Sequence, residues 1–151
     1  MITVVSPTDV PNTVLRAFCI SGSRHATTNH FLNVIHGALC NLEIRNSDVF
    51  IHGAARGVDS LVGEYLQSAA PWPVAVPMHA QWERHGRGAG PRRNEQMLRI
   101  VTAMSKCGYR PFLLAFPRGK SPGTRQMIRI WENARLTKPL IFELPILQDD
   151  Q

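Results

Sequence analysis

The residues of this chain best suited to chemistry sit in three glycine-bearing turns, each carrying an arginine and each placed where an apolar run ends. They are Ser21-Gly22-Ser23-Arg24, His52-Gly53-Ala54-Ala55-Arg56-Gly57-Val58-Asp59 and Pro117-Arg118-Gly119-Lys120-Ser121-Pro122-Gly123-Thr124. Glycine lets backbone N–H groups approach a ligand closely. A helix starting just after such a turn offers N–H groups without intrahelical partners, and partial positive charge. A guanidinium adds two-point geometry matched to phosphate. Together these features point to binding of a phosphorylated anion.

Each turn has its own candidates. In the third, Pro117, Gly119, Gly123 and Thr124 are the expected ligand contacts, with the Thr124 hydroxyl and nearby amides holding phosphate. A tight strand-to-helix turn with a threonine cap is the alternative. No Gly-Lys-Ser/Thr ends the turn, so it is not a Walker loop. In the second, Gly53 and Gly57 permit close backbone approach and Arg56 can clamp an anion. Asp59 either favours the helix start or hydrogen-bonds a ribose hydroxyl. His52 reads as a strand-end histidine. In the first, Gly22, Ser23 and Arg24 are the candidates. Between the second and third turns lies Gln81-Trp82-Glu83-Arg84-His85-Gly86-Arg87-Gly88-Ala89-Gly90. Here Trp82 either stacks on a base or anchors its loop, Arg84 and Arg87 can pair with phosphates, and the segment reads as a flexible lid. His79 and His85 lack a third ligand, so no metal is expected; nor is a cofactor.

Elements of alternating type must position these turns. Apolar runs over 16–21, 48–52, 73–77, 111–116 and 139–144 predict strands, and helical spacing predicts helices over 27–42, 58–69, 92–106 and 124–135. Residues 78–91 read as a long loop, and long loops in compact domains are commonly functional. Residues 1–15 read as an N-terminal leader or edge segment, and 16–151 as a single domain. The strands are short and continuously apolar. That pattern predicts an α/β fold: a Rossmann-like three-layer sandwich with a mostly parallel sheet of about five strands and helices on both faces. Such a sheet gathers its turns along the carboxyl edge of the strands.

The formal net charge is +6, and arginines outnumber lysines 14 to 3. Eight of the arginines (24, 56, 84, 87, 92, 93, 118 and 125) fall in predicted loops or first helical turns. Clustering at the turns favours anion binding over a merely basic surface. The three cysteines show no paired spacing, so neither a disulfide framework nor a zinc knuckle is expected. Without a long apolar run or a secretory n-region, the expectation is a cytoplasmic protein with no membrane partner.

Four motifs in order carry a resemblance. They are Phe18-Cys19-Ile20-Ser21-Gly22-Ser23-Arg24, His52 to Asp59, Ala89-Gly90-Pro91-Arg92-Arg93-Asn94-Glu95-Gln96-Met97, and Ala115-Phe116-Pro117-Arg118-Gly119 with Gly123-Thr124. Over residues 16–144 the chain resembles the SLOG superfamily, and most of all its small YspA-like (YpsA-related) branch, many of whose members occur in phages and bacteria. Relatives include the Lonely Guy phosphoribohydrolases and the DNA-processing protein DprA (Smf). The resemblance implies a Rossmann-like domain that binds nucleotides or nucleotide-derived ligands, including ADP-ribose-type molecules. It also implies that Arg93 and Asn94 read phosphate and sugar or base. The phosphoribohydrolase pattern Pro-Gly-Gly-x-Gly-Thr-x-x-Glu is broken here. Arg118 stands at its first glycine, the turn is longer, and Met127 stands at its catalytic glutamate. Asp59, Glu64 and Glu95 are the carboxylates near the motifs, so Arg93, Asp59 and Glu95 are the catalytic candidates if the protein is an enzyme.

The expectation is therefore a binder of a nucleoside phosphate or ADP-ribose-type molecule, as a sensing or sequestering protein. One alternative is an N-glycosidic-bond hydrolase acting on nucleoside monophosphates. Another is a single-stranded DNA binder resembling DprA, disfavoured by the lack of alternating aromatic platforms and lysines. Self-association into a homo-oligomer is an expected further property.

Overall fold

A computed structural model describes residues 6–24, 31–54, 56–68 and 73–146. Five strands, β1 (Arg16–Gly22), β2 (Val49–His52), β3 (Val74–Pro77), β4 (Arg110–Phe116) and β5 (Leu140–Ile141), form one sheet in the order β3-β2-β1-β4-β5. Every adjacent pair is parallel. The helices are α1 (Leu32–Cys40), α2 (Val58–Ser68), α3 (Trp82–His85), α4 (Ala89–Lys106) and α5 (Pro122–Ala134). The fold is thus the Rossmann-like α/β sandwich that the alternation of apolar runs predicts.

Period-two alternation divides the core into two layers. Phe18, Ile20, Phe50, Phe112, Leu114 and Phe116 point to one face, where Ile35 and Leu39 of α1 and Val62 and Leu66 of α2 cover them. Cys19, Ile51, Leu113 and Ala115 point to the other, against Met97 and Val101 of α4 and Met127, Ile128 and Trp131 of α5. Register pairs Phe18 with both Phe50 and Phe112. The three rings stack across the central strands at 4.8 and 5.5 Å.

The amino ends of β1 and β2 are locked by Arg16, a residue fully withdrawn from solvent. Its Nε and Nη2 donate to the two carboxylate oxygens of Asp48. Nη1 donates to the carbonyls of Pro7 and Leu42, and Nη2 also to that of Glu43. Asp48 accepts a further bond from the Arg45 N–H at 2.7 Å. All five guanidinium hydrogens are satisfied, the condition under which a buried ion pair is tolerated. The described part of the N-terminal segment is therefore tied to the domain. It holds a short 3-10 turn at Pro7–Asp9 and forms no strand.

Three sequence expectations are corrected here. Residues 78–91 are not one irregular loop: α3 and a 3-10 turn (Gly86–Gly88) occupy them, and α4 begins at Ala89. Pro91 stands in the first turn of α4, where a missing N–H leaves no hydrogen bond broken, so it does not mark a boundary. β5 is a two-residue ladder, although Phe142 N–H to Ala115 O and Leu144 N–H to Pro117 O keep the chain beside β4. β3 is an edge strand with Val74 56% exposed, so it is not covered on both faces. Parts of the expected 27–42 and 58–69 helices and the extreme C-terminus lie outside the described residues. Among those described, no helix is long and apolar enough to cross a membrane.

Replacing Arg16 with Met strands the Asp48 carboxylate and three carbonyls away from water. The expected loss is about 3–5 kcal/mol of unfolding free energy, read from urea denaturation. A loss below about 1 kcal/mol would mean that the pair is not the lock described here.

Candidate ligand site at the carboxyl edge

β1 and β4 are neighbours whose following connections leave in opposite directions. The crevice at their carboxyl ends is the switch point where open α/β sheets take ligands. A cavity of about 730 Å³ opens there, within the range of small-molecule sites. The β1 exit, Gly53 and Asp59, α3, the first turns of α4, and the segment from Arg118 to Thr124 all contribute to its wall.

Two glycines let the first two turns touch. Gly57 has φ +81°, and a Cβ there would lie 2.2 Å from the Ser23 carbonyl oxygen. A Cβ on Gly22 would lie 2.5 Å from the Cβ of Val58. With both side chains absent, the Val58 N–H donates to the Ser23 carbonyl at 3.1 Å, which draws the start of α2 up to the β1 exit. The Ser23 N–H in turn donates to the Phe116 carbonyl, tying that exit to the end of β4.

The third turn enters α5 through an unusual backbone conformation. Ser121 stands at the N-cap of α5 with φ 34° and ψ 61°, a left-handed conformation unusual without glycine. Its hydroxyl accepts from the Arg118 N–H and donates to the Arg118 carbonyl, both at 2.8 Å. It makes no cap bond to the helix, so no side chain of the cap residue covers the first N–H groups of α5. Thr124 is buried at that end. Arg125 pins the turn from outside, donating to the Gly119 carbonyl and in two-point fashion to Glu143.

Charge in the cavity is one-sided. Among the described residues, Arg24, Arg87, Arg93, Arg118, Lys120 and Arg129 line it, against the single carboxylate of Asp59. Arg93 lies flat on Gly53: a Cβ on that glycine would come within 2.8 Å of its guanidinium, and Nη1 donates to the Gly53 carbonyl at 3.1 Å. Its Nε is buried and meets no acceptor among the described residues. Burial lowers the Arg93 pKa, Asp59 opposes that, and Arg24 adds to it. Burial pushes the thiol of Cys19, behind them, well up; Asp59 adds and Arg93 opposes. Arg24 stacks over the Trp82 ring at 4.3 Å, with Gly90 leaving room beside both.

The sequence candidates separate into two groups. Gly22, Ser23, Arg24, Gly53, Asp59, Trp82, Arg93, Asn94, Gly123 and Thr124 come together around the cavity. Arg56, Gly57, Pro117 and Glu95 stay off its wall, as does Gly119. Gly57 and Gly119 shape the backbone instead, Arg56 is solvent-exposed, and Glu95 faces a different depression. Asn94 lines the cavity, but its amide hydrogens go to the Gly123 carbonyl and Gln126 Oε1, so it positions the α5 start. Met127 lies in the core with Met97 and Trp131, away from the cavity. Of the eight arginines singled out earlier, 24, 87, 93 and 118 reach the cavity. The sequence reading missed Lys120, Gln126 and Arg129. Lys120 was visible in its turn, whereas Gln126 and Arg129 needed the rotation of α5 to be known.

The fold and cavity define an α/β protein with a cationic crevice at its sheet switch point. No protein-family model and no solved structure matches the chain. It is 37% identical over 84 residues to the Gene 61 protein of Mycobacterium phage D29. That stretch takes in 54% of this chain and 61% of the phage protein, so the chain spans less than two thirds of that relative.

Two measurements check the construction. Gly57→Ala should lose more than about 1–3 kcal/mol, from backbone strain and overpacking. Gly123→Ala, with open space around its Cβ, should stay within about 1 kcal/mol of wild type in urea titration. His52 supplies a pH test. Burial, then His79, lowers its pKa, and its Nδ1 accepts from the Ala54 N–H. As pH falls below the ordinary histidine value of about 6.5, the unfolded chain takes up a proton that the folded chain resists. Stability therefore falls from there toward the lowered folded value. In His52→Asn, the urea midpoint should fall less steeply over that window.

Proposed function

We propose that this protein binds a nucleotide or nucleotide-derived ligand, a nucleoside phosphate or an ADP-ribose-type molecule, in the carboxyl-edge cavity. One observation carries the reading: among the described residues, six cations and a helix start without a side-chain cap converge on one crevice that holds a single acid. Phosphate suits the α5 amides and the guanidinium groups. Arg93 is the central contact, because its buried Nε lacks an acceptor that a phosphate oxygen would supply. Trp82, 44% exposed at the rim, offers a ring face on which a base can replace the Arg24 guanidinium. Asp59 suits a ribose hydroxyl. The resemblance to the SLOG superfamily supports the same ligand class, in a sensing or sequestering role.

A second reading rests on Asp59 being the carboxylate in the cavity wall. If the bound ligand is a nucleoside monophosphate, Asp59 is the group able to steady charge developing on the sugar during base release. With Met127 in the core and Glu95 outside the cavity, no other carboxylate among the described residues lines it for that task.

Isothermal titration with nucleoside mono-, di- and triphosphates and ADP-ribose tests the main reading. Saturable binding is expected with at least one, weakening as salt rises and accompanied by a change in Trp82 fluorescence. Arg93→Gln should weaken it about tenfold or more, while Arg56→Gln leaves it unchanged. Flat heats with every ligand and folded protein would remove the proposal. Chromatography of the same mixtures for free base decides the second reading.

A further inference from the structure

A smaller depression lies on the outer side of Arg93, away from the switch-point crevice. It encloses about 140 Å³ between the end of α3, the segment after β3, and the outward face of α4. At about 30 Å³ per molecule of liquid water, that is space for a small oxyanion and little else. We propose that it is a second anion site, taking a single phosphate or phosphoryl group beside the main cavity, with Arg93 between the two.

The side chains argue for it. Arg92, Gln96 and Arg99 line the depression, and their spacing of four and three residues stacks them on one face of α4. His79 enters from the β3 exit and His85 from the last residue of α3. All of these can donate hydrogen bonds to oxygen. Neither Arg92 nor Arg99 forms an ion pair among the described residues. One carboxylate, Glu95, faces the same space, and it too is outside any such pair. Three guanidinium groups, with Arg93 shared between the two cavities, therefore confront one acid. Desolvation leads the lowering of the His85 pKa and Arg92 and Arg84 add to it, just as burial leads that of His52 and His79 adds to it. An anion seated among these groups relieves their mutual repulsion.

Glu95 gives the site a signature. It competes with any incoming anion for Arg92 and Arg99, so its removal should tighten binding where loss of an ordinary surface acid would do nothing specific.

The test follows the imidazole C–H signals of the full-length protein by NMR, with inorganic phosphate added at constant ionic strength and chloride as the control. The expected result is saturable movement of the His79 and His85 signals with phosphate alone, and a His85 titration displaced upward in pH. Arg92→Gln/Arg99→Gln should weaken the response about tenfold or more. Glu95→Gln should strengthen it about twofold to fivefold. A parallel titration with a nucleoside 5′-monophosphate identifies the source. Response at lower concentration than inorganic phosphate assigns the site to a ligand's phosphoryl group, and an equal response assigns it to free phosphate. Equal movement with chloride, or phosphate movement untouched by the double substitution, would overturn the proposal. Perturbation of Gly123 and Thr124 amides without His79 and His85 would overturn it too, while leaving the main cavity's reading intact.

Discussion

Everything at the carboxyl edge depends on one close backbone contact. The start of α2 can meet the β1 exit because Gly22 and Gly57 carry no Cβ, and the Val58 N–H then reaches the Ser23 carbonyl. Separating the two segments by a methyl group would also separate Arg24 and Ser23 from Gly53 and Asp59. The cavity would lose its shared wall. Glycine is required at Gly57 on two counts, its positive φ and the approach of the facing carbonyl.

A second constraint is electrostatic. The crevice collects cations around Arg93, whose guanidinium is partly buried and covered by the backbone of Gly53. Without an anion, such a cluster is held against its own repulsion by the rest of the fold. The distribution of tasks supports this. The opposite end of the sheet carries the fully paired Arg16–Asp48 lock, together with stacked phenylalanines in the adjoining core. Of the four non-glycine residues with positive φ among those described, Ala54 and Ser121 stand at the carboxyl edge, whereas Glu43, whose carbonyl accepts from Arg16, and Arg135 do not. Strained residues of this kind persist where the surrounding packing over-determines them.

Much of the fold was legible because burial imposes periodicity. Phe31, Ile35, Ala38 and Leu42 at helical spacing are all buried, and the short apolar runs are the strands. Where the reading failed, local rules gave way to position. Pro91 and the nearby glycines suggested a loop, but proline is harmless in a first helical turn. The apolar run at Val74 suggested a covered strand, but edge or centre is a property of the sheet order. Arg16 gave no sign of its buried pairing, because Asp48 is far away in sequence.

The sequence by itself determined the alternation of strands and helices, the glycine turns, and the abundance of arginine, since each is a local or compositional property. The tertiary structure alone decided which of those arginines meet. Arg24, Arg93 and Arg129 come from three distant segments, whereas Arg56 and Arg125, equally promising by position, point elsewhere. The reason is geometric: a turn's place in the chain sets its backbone, but strand order and helix rotation set the direction of its side chains.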